Sequence, residues 1–412
     1  MKKKIDTNQI EIGMYVSEVD RPWRETPFLF QGFEIKDEED IKELQKFCSY
    51  VIIDTDEGRD VDDKLKWRID PLLATDTGEE KENKKKAPEG GYEKKTDLFE
   101  EMPKAREAER KTRNVIQTIM TDVRLGRSVD TSAAKEVVGE LTESIVRNPD
   151  AMMCLSMLKE ADEYTALHSL RVCILAVAFG RELGYSIDRL EQLGTGALLH
   201  DLGKLRIPLE ILNKPGKLTT EEYDIIKSHV PLGVQVLEDS KGGIADNAIE
   251  VARYHHERID GSGYVSGRSN GEIPEFGRIG GIVDCYDAIT SDRIYKKGIS
   301  AYDALKKMYE WRDSAFDGDL VEKFIQCMGI YPIGSLVEMN TGSIGVVATI
   351  NRERRLRPKV VLVLTSDKKP FDKPKVIDMM EDKPGVRELE IAHVLASGTY
   401  GINPVSYLPI QI

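Results

Sequence analysis

In "LLHDLGK", residues 198–204, a histidine and an aspartate directly follow an apolar segment. A buried carboxylate beside a buried imidazole costs free energy unless both groups are paired or bind a metal ion. The apolar residues indicate the end of a buried helix. His200 and Asp201 therefore predict a metal site inside a helical protein.

The remaining histidines support this prediction, because five of the six in the 412-residue chain fall between residues 168 and 256. They are His168, His200, His229, His255 and His256, each on or at the end of a predicted helix. Asp284 and Asp287 follow one helical turn apart, on one helix face. Imidazole nitrogens with a few carboxylates are a typical ligand set for divalent transition metals.

Two of these histidines are adjacent, at the start of "HHERIDGSGYVSG", residues 255–267. Neighbouring residues on a helix diverge by about 100°, so His255 and His256 cannot act as an i,i+4 ligand pair. At a helix end that opens into a glycine loop, both can face a site wider than one ion. Two metals about 3.5–4 Å apart form such a site, with Asp201 as the candidate bridging carboxylate and a bridging hydroxide for in-line attack on phosphorus.

Helical patterns dominate from about Lys111 to Gln326. "HSLRVCILAVAFGREL" (168–183) is apolar on most faces and predicts a buried helix. Ser186 predicts a helix N-cap, Thr219 with Glu222 forms a capping-box pattern, and Pro231 should bend or break the helix that carries His229. Further helices are predicted at "DNAIEVARYHHE" (246–257), ending near residues 260–261, and at "GRIGGIVDCYDAIT" (277–290).

The two ends of the chain have strand patterns. "EIGMYVSEVD" (11–20) and "SYVIIDTD" (49–56) flank a short predicted helix, "KDEEDIKELQKF" (36–47). "SLVEMNTGSIGVVATI" (335–350) and "PKVVLVLTSD" (358–367) predict further strands. The fold class is therefore mainly α. We expect a small α/β domain at 1–70, a charged linker at 71–110, a helical metal-binding domain at 111–335 and a β-rich extension at 336–412.

Composition limits the class of partner and the compartment. The formal net charge is −13, which disfavours a DNA or RNA duplex as partner but leaves a small anionic ligand open. The five cysteines form no CxxC pair, so the sequence indicates neither a disulfide framework nor a thiolate zinc site, and it fits a reducing cytosol. No run of 18 apolar residues occurs, so we expect no membrane span and a cytoplasmic location.

The ordered motifs "HS…HDLGK…H…HHERIDGSGY…IPEFGRIGGIVDCYDAITSDRIYKKG" resemble the HD-GYP family, a branch of the HD-domain phosphohydrolases, over roughly residues 145–335. "RPWRETPFLFQGFEI" (21–35) resembles a small domain of unknown role that often precedes HD-GYP domains in bacteria. The resemblance implies an HD-type helical bundle. It also implies metal-dependent hydrolysis of cyclic di-GMP, a bacterial second messenger, to pGpG, with a second round that gives GMP left open.

The resemblance also implies a role for each matching residue. The metal ligands would be His168, His200, Asp201, His229, His255, His256 and Asp284. Lys204 and Asp201 would be the catalytic residues, and Arg293 and Lys296 would hold the phosphates or guanine of the substrate. Tyr264 would contact substrate, and Asp287 would either contact substrate or orient a ligand histidine. Iron or manganese are the expected ions, with nickel, cobalt or magnesium as alternatives.

Two departures from the family pattern are present. The chain has Gly263, Tyr264 and Val265 where the family has Gly-Tyr-Pro, so the loop loses stiffness but no ligand. Family members with a third metal carry a glutamate where this chain has Tyr164, beside Glu163. We therefore expect two metal ions. In the family this loop is also linked to contacts with diguanylate cyclase domains, so Val265 could alter partners more than chemistry.

Two other functions stay open at this point. Because of Val265, the chain could be a cyclic di-GMP-binding scaffold with weak turnover. It could also be an HD phosphohydrolase for another nucleotide, such as pGpG or a different cyclic dinucleotide. The N-terminal aromatic residues form either a domain core or a docking surface: Trp23, Phe28, Phe30 and Phe33. The oligomeric state is also open, with a homodimer as one alternative.

Overall fold

The computed structural model describes residues 2–21, 26, 28, 32–59, 92–157, 164–291, 298–352, 354–381, 383 and 385–408. The chain divides into two compact units, Met1–Glu89 and Gly90–Ile412. In the described part of the chain, no helix combines the length and the apolar character that a membrane crossing requires.

The first unit is a small α/β domain, as its strand and helix patterns predict. Its elements are β1 (Lys2–Asp6), β2 (Tyr15–Val19), β3 (Phe33–Glu34), α1 (Glu38–Phe47) and β4 (Tyr50–Asp54). The strands form an antiparallel sheet in the order β1-β4-β2-β3. Strand β1 was missed because its lysine-rich sequence lacks the apolar alternation of a half-buried strand.

The described members of the predicted aromatic cluster belong to the core of this unit. The rings of Phe28 and Phe33 stack with centroids 4.8 Å apart, and both pack against the buried residues of the sheet. This favours the core interpretation for these two residues. Trp23 and Phe30, the other members of the predicted cluster, lie outside the described residues.

The helices of the second unit are α2 (Leu98–Arg124), α3 (Thr131–Arg147), α4 (Pro149–Ser156), α5 (Tyr164–Glu182), α6 (Ile187–Leu199), α7 (Leu209–Leu212), α8 (Thr220–Lys227), α9 (His229–Glu238), α10 (Asp246–Tyr254), α11 (Glu275–Thr290), α12 (Ala301–Glu310) and α13 (Gly318–Met328). A 3₁₀ turn, Leu202–Arg206, follows α6. The mainly helical fold class is thereby confirmed.

The linker predicted at 71–110 is wrong in its last part. Helix α2 begins at Leu98, so residues 98–110 are helical, whereas residues 71–91 lie outside the described part. Asp97 caps the helix by accepting a hydrogen bond from the Phe99 amide. The high charge of this segment hid a stripe of buried residues at helical spacing: Leu98, Met102, Ala105 and Ala108.

Most local signals of the helical region are confirmed. Helix α5 is buried, Ser186 caps α6, and Thr219 and Glu222 form the capping box of α8. The break near Pro231 falls at Ser228, which separates α8 from α9. Helix α10 ends at Tyr254, earlier than predicted, so His255 stands at the helix end rather than inside it.

The C-terminal strands form one antiparallel sheet. They are β5 (Leu336–Met339), β6 (Ile344–Thr349), β7 (Lys359–Leu364), β8 (Pro370–Asp378) and β9 (Ile391–Leu395), in the order β8-β7-β6-β5-β9. Their apolar residues form a core with Ile330 and Tyr331, which follow α13. The predicted β-rich extension is confirmed, although β8 and β9 were not foreseen, because their exposed positions weaken the strand pattern.

Close helix contacts bring the predicted ligands together. A Cβ atom at Gly196 of α6 would lie 2.3 Å from the Ala248 carbonyl oxygen of α10. A Cβ atom at Gly277 of α11 would lie 2.5 Å from the Cβ atom of Tyr254, the last residue of α10. Only glycine permits such an approach. These contacts hold the last part of α6 against the start of α10, and the end of α10 against the start of α11.

Candidate metal centre

The predicted ligands converge from several elements of the helical unit. His168 lies in the first turns of α5, His200 and Asp201 follow α6, and His229 begins α9. His255 and His256 follow α10, and Asp284 lies in α11. All of these groups except the half-buried His256 are almost completely buried. The helix contacts therefore place the set in one interior cluster.

The cluster divides into groups of three that could each hold an ion. His168, His200 and Asp201 form one group, and His229, His255 and His256 form another, with ligand atoms within 4.8 Å of one another. A third group contains His200, His255 and Asp284. The groups overlap and share ligands, which is the arrangement expected for adjacent ions.

Asp201 lies between the first two groups and directs one carboxylate oxygen at each. Its Oδ2 atom is 3.3 Å from the Nε2 atom of His200 and 3.6 Å from that of His168. Its Oδ1 atom is 3.5 Å from the Nε2 atom of His229 and 3.7 Å from that of His255. A carboxylate in this position is suited to bridge two ions.

The orientation of the imidazole rings is set by their Nδ1 atoms. The Nδ1–H groups of His200 and His229 each donate to a backbone carbonyl at 2.7 Å, those of Ala197 and Ile226. His255 donates in the same way to the carbonyls of its own helix at 3.0 Å. With Nδ1 protonated, the neutral ring carries its lone pair on Nε2, which faces the cluster.

Unpartnered polar atoms in the cluster fit a bound metal ion. Within the described structure, the Nε2 atoms of His200, His229 and His255 and the Oδ1 atom of Asp201 are buried and make no hydrogen bond. An unsatisfied buried polar group costs about 1–3 kcal/mol. Four such atoms pointing to one place are accounted for by divalent metal ligation, which these donor types support.

The electrostatics of the cluster differ between its two sides. Burial acts against the charged form of every group, but Lys204, His200 and His168 hold the pKa of Asp201 well below its usual range. Burial also opposes protonation of His200, yet Asp201 raises its pKa to about 9. Burial lowers the pKa of His256 to about 3 and that of His255 well below its usual range. The second side therefore offers neutral imidazoles, the form that binds metal.

Asp287 lies behind His168 rather than in the open part of the site. Its Oδ2 atom is 2.7 Å from the Nδ1 atom of His168, and its carboxylate accepts two hydrogen bonds from Arg171 at 2.6 and 3.0 Å. Arg171 also donates to Ser291. Of the two roles left open for Asp287, this geometry favours orienting a ligand histidine over contacting substrate.

We expect Asp287→Asn to weaken divalent metal binding about 10–100-fold, since groups that orient a ligand have effects of this size. A side-chain amide has one acceptor oxygen and no charge. It therefore cannot replace the carboxylate that accepts hydrogen bonds from both the His168 Nδ1–H group and the Arg171 guanidinium. Metal titration of the purified chain measures the affinity, and excess metal should restore full occupancy of the site. Asp239→Asn, an exposed aspartate after α9, is the matched control. Unchanged affinity in Asp287→Asn would contradict the positioning role.

Lys204 and Tyr264 border the opening of the cluster. The Lys204 ammonium donates to Asp201 Oδ2 at 2.5 Å, and its side chain is partly exposed. The Tyr264 ring stacks on His256 with centroids 4.5 Å apart. Tyr223 of α8, half exposed, meets the Tyr264 ring edge to face at 6.1 Å. A cation and two aromatic rings thus stand at the mouth of the site.

The glycine loop is held by a buried acid that sequence reasoning missed. Glu257 accepts hydrogen bonds from the backbone amides of Ser266 and Arg268 at 2.7 and 3.1 Å. A Cβ atom at Gly263 would lie 2.4 Å from the Arg258 amide, so the loop packs directly on the chain that follows His256. Val265 is 53% exposed and contributes no ligand atom. The loop is therefore anchored although the proline is absent.

Some predicted site residues cannot be placed. Arg293 and Lys296 lie outside the described residues, so their roles in binding phosphate or guanine stay predictions. Glu163 also lies outside them, and only the backbone of Tyr164 is described. The expectation of two ions rather than three likewise stays a prediction.

Arg171 was missed although the sequence contains a signal for it. It stands three residues after His168 in a helix that is otherwise apolar on most faces. A buried guanidinium requires acceptors, which points to a buried carboxylate partner. Glu257 lacked such a signal, because an acid after a helix end is usually solvated.

Three family models match the chain. An HD domain matches residues 153–320, a KOW domain associated with HD domain matches residues 336–394, and a domain of unknown function (DUF3391) matches residues 2–134. The last match covers the first unit and continues into α2 and the start of α3. The order of the three domains agrees with the order of the elements along the chain.

Curated relatives extend this likeness. The cyclic di-GMP phosphodiesterase PA4108 of Pseudomonas aeruginosa is 33% identical over 92% of this chain and 89% of its own length. A cyclic di-GMP phosphodiesterase of Thermotoga maritima is 36% identical over 43% of this chain and 48% of its own. A 3′3′-cGAMP-specific phosphodiesterase 2 of Vibrio cholerae is 34% identical over 39% of this chain and 31% of its own. The likeness to the first relative spans both units, and with the HD-domain match and the histidine cluster it shows that the chain belongs to the HD-GYP family of HD-domain phosphohydrolases.

Proposed function

We propose that this chain is a metal-dependent phosphodiesterase that hydrolyses cyclic di-GMP to pGpG and on to GMP. The observation that carries the proposal is the buried carboxylate of Asp201, which directs one oxygen at each of two groups of imidazole Nε2 atoms. A protein that only bound a nucleotide would have no use for four unpartnered metal-ligand atoms in its interior.

We propose two divalent ions, held by His168, His200, Asp201, His229, His255, His256 and Asp284. Iron or manganese suit this mixture of imidazoles and carboxylates. Two such ions would neutralise charge on the phosphodiester and lower the pKa of a bound water. Asp287 and Arg171 keep His168 in the orientation that this ligand set requires.

The chain's own groups at the mouth complete the chemistry. Lys204 is close enough to Asp201 to hold a non-bridging phosphate oxygen or to give a proton to the leaving oxygen. Burial raises the pKa of Tyr264, so its hydroxyl stays protonated and can donate to the substrate. Glu257 fixes the loop that carries this tyrosine by accepting hydrogen bonds from the Ser266 and Arg268 amides.

We propose cyclic di-GMP as the substrate because the relative that is similar over both units is named as a cyclic di-GMP phosphodiesterase. A relative named for 3′3′-cGAMP matches a smaller part of the chain, so that dinucleotide is the comparison substrate. Tyr223 and Tyr264 lie in contact with each other beside His256, and they are the aromatic side chains proposed to contact a purine of either compound. Contact with substrate by Arg293 and Lys296 is a prediction.

The proposal is tested by anaerobic purification, metal analysis and a time course with cyclic di-GMP and 3′3′-cGAMP in parallel. We expect about two divalent ions per chain and the appearance of pGpG followed by GMP. Stoichiometric binding of intact cyclic di-GMP without product would instead identify a scaffold protein. Faster turnover of 3′3′-cGAMP than of cyclic di-GMP would identify 3′3′-cGAMP as the substrate instead.

We also propose that the catalytic unit runs from α2 through α13, rather than from residue 111, because α2 contributes ten buried residues to this helical unit. A contact of the glycine loop with diguanylate cyclase domains stays a prediction. The formation of a homodimer also stays a prediction.

A further inference from the structure

A cavity of about 410 Å³ lies between the C-terminal sheet and the helical bundle, away from the metal centre. Its walls come from the segment after β6, the start of β7, the end of β8, the last turn of α5 and the residues before α2. Arg181 in this wall and His168 in the metal centre stand near opposite ends of α5. With a rise of about 1.5 Å per residue, about 20 Å of helix separates them.

The cavity is lined by five cationic side chains and one carboxylate, on a chain whose net charge is −13. The cations are Lys94, Arg181, Arg352, Arg357 and Lys359. Only a part of this charge is balanced by neighbouring acids. Lys94 pairs with Asp150 at 2.6 Å, Arg352 with Glu182 at 3.3 Å and Lys359 with Asp378 at 3.1 Å. Five cations against three carboxylates leave an excess of two positive charges.

Arg181 and Arg357 are the two cations outside these three pairs, and they donate hydrogen bonds to uncharged backbone carbonyl groups. Arg357 donates to the backbone carbonyls of Met379, Val386, Arg387 and Leu389. Arg181 donates through Nη2 to the carbonyls of Tyr92 and Val146. Carbonyl oxygens satisfy N–H groups but do not cancel a full charge. An anion entering the cavity therefore meets a positive field.

Arg181 also presents an unused donor. The residue is only 5% exposed, and its Nε–H group is buried without a hydrogen-bond partner in the described structure. Burial lowers the pKa of Arg181, and the nearby Arg352 lowers it further. Two guanidinium groups that repel each other in a half-buried space are both stabilised when an anion binds between them. A phosphate matches the planar donor geometry of a guanidinium, as a carboxylate does, and a phosphate monoester carries more negative charge with which to offset two such groups.

We propose that this cavity binds the phosphate group of a small anion, with Arg181 and Arg352 as the main donors and Lys94 and Lys359 at its rim. A volume of this size falls in the range of small-molecule sites, so a mononucleotide can enter. The Tyr92 ring, which the Arg181 guanidinium faces at 5.6 Å, also lines the cavity. The site is separate from the metal centre and does not depend on the proposed hydrolysis.

Isothermal titration of the metal-loaded full-length chain with GMP, repeated with inorganic phosphate, tests this site. We expect saturable binding that weakens about tenfold in Arg352→Gln and in Lys359→Gln, since a charged hydrogen bond contributes about 1.5–3 kcal/mol. Lys359 is half exposed, so its variant keeps the fold. Lys373→Gln, on the exposed face of β8, is the matched control and should bind as the parent does.

The source of the binding signal is separated by a variant of the metal centre. Binding in the cavity should persist in Asp201→Ala, and turnover should persist in Lys359→Gln. Equal affinity for GMP and inorganic phosphate would identify the phosphate alone as the ligand, and tighter binding of GMP would identify a nucleotide. Absence of binding in the parent overturns the proposal. Binding that Asp201→Ala abolishes and the cavity variants leave unchanged also overturns it.

Discussion

Asp201→Ala will reduce phosphodiester hydrolysis by about 10³-fold or more, because metal ions supply several kcal/mol of transition-state stabilisation. Both carboxylate oxygens are lost at once, each from a different group of histidines. Lys204 loses its 2.5 Å partner in the same change. Turnover of cyclic di-GMP and metal content per chain are the two measurements, and both should fall.

Asp224→Ala on α8 removes an exposed carboxylate and serves as the control, with turnover and metal content expected at parental levels. Thermal unfolding separates loss of metal from loss of fold. Substantial hydrolysis by a folded Asp201→Ala chain would refute the bridging role. Loss of turnover with full metal content would show that Asp201 acts in catalysis without being needed for metal binding.

Gly203→Ala will have the second largest effect, through the position of His229. A Cβ atom at Gly203 would lie 1.9 Å from the His229 carbonyl oxygen and 2.5 Å from the Gly233 amide nitrogen. The 3₁₀ turn after His200 and the start of α9 must then separate. Displacement of a ligand by about 1 Å is expected to lower turnover about 10²-fold, with about 1–3 kcal/mol of lost stability from overpacking.

A graded series of glycine variants distinguishes this contact from a general effect of alanine. At Gly233 the Cβ atom would lie 3.2 Å from the Gly203 amide, so Gly233→Ala should give an intermediate loss. Gly271→Ala meets no atom within 4 Å and should match the parent in turnover, metal affinity and thermal stability. Parental metal affinity in Gly203→Ala would show that the turn and α9 can separate without moving His229.

Much of the site could be predicted from the sequence because its ligands stand in short, ordered motifs. "LLHDLGK" and the paired histidines are legible without a structure, since imidazoles and acids are seldom placed next to apolar helix ends. The helix caps at Ser186 and Thr219 are equally local. Each of these predictions depends on neighbours within a few residues.

Other features were out of reach for sequence reasoning because their partners are distant along the chain. Asp287 pairs with Arg171 across 116 positions, and nothing local distinguishes an orienting acid from one that contacts substrate. The start of α2 was missed because the charged residues on its exposed face outnumber the apolar residues on its buried face. The basic cavity joins residues 92–94, 181 and 349–380, which no motif connects.

Local properties of the chain, namely hydrophobic period, capping and motif spacing, were therefore enough to predict the helical class, the candidate ligand residues and the family resemblance. The folded chain was needed to show which oxygen of Asp201 faces which histidines, which acid stands behind His168, and where cations outnumber carboxylates. These are matters of distance and direction in space. They are set by how closely the helices pack, as at Gly196 and Gly203, where a single methyl group would not fit.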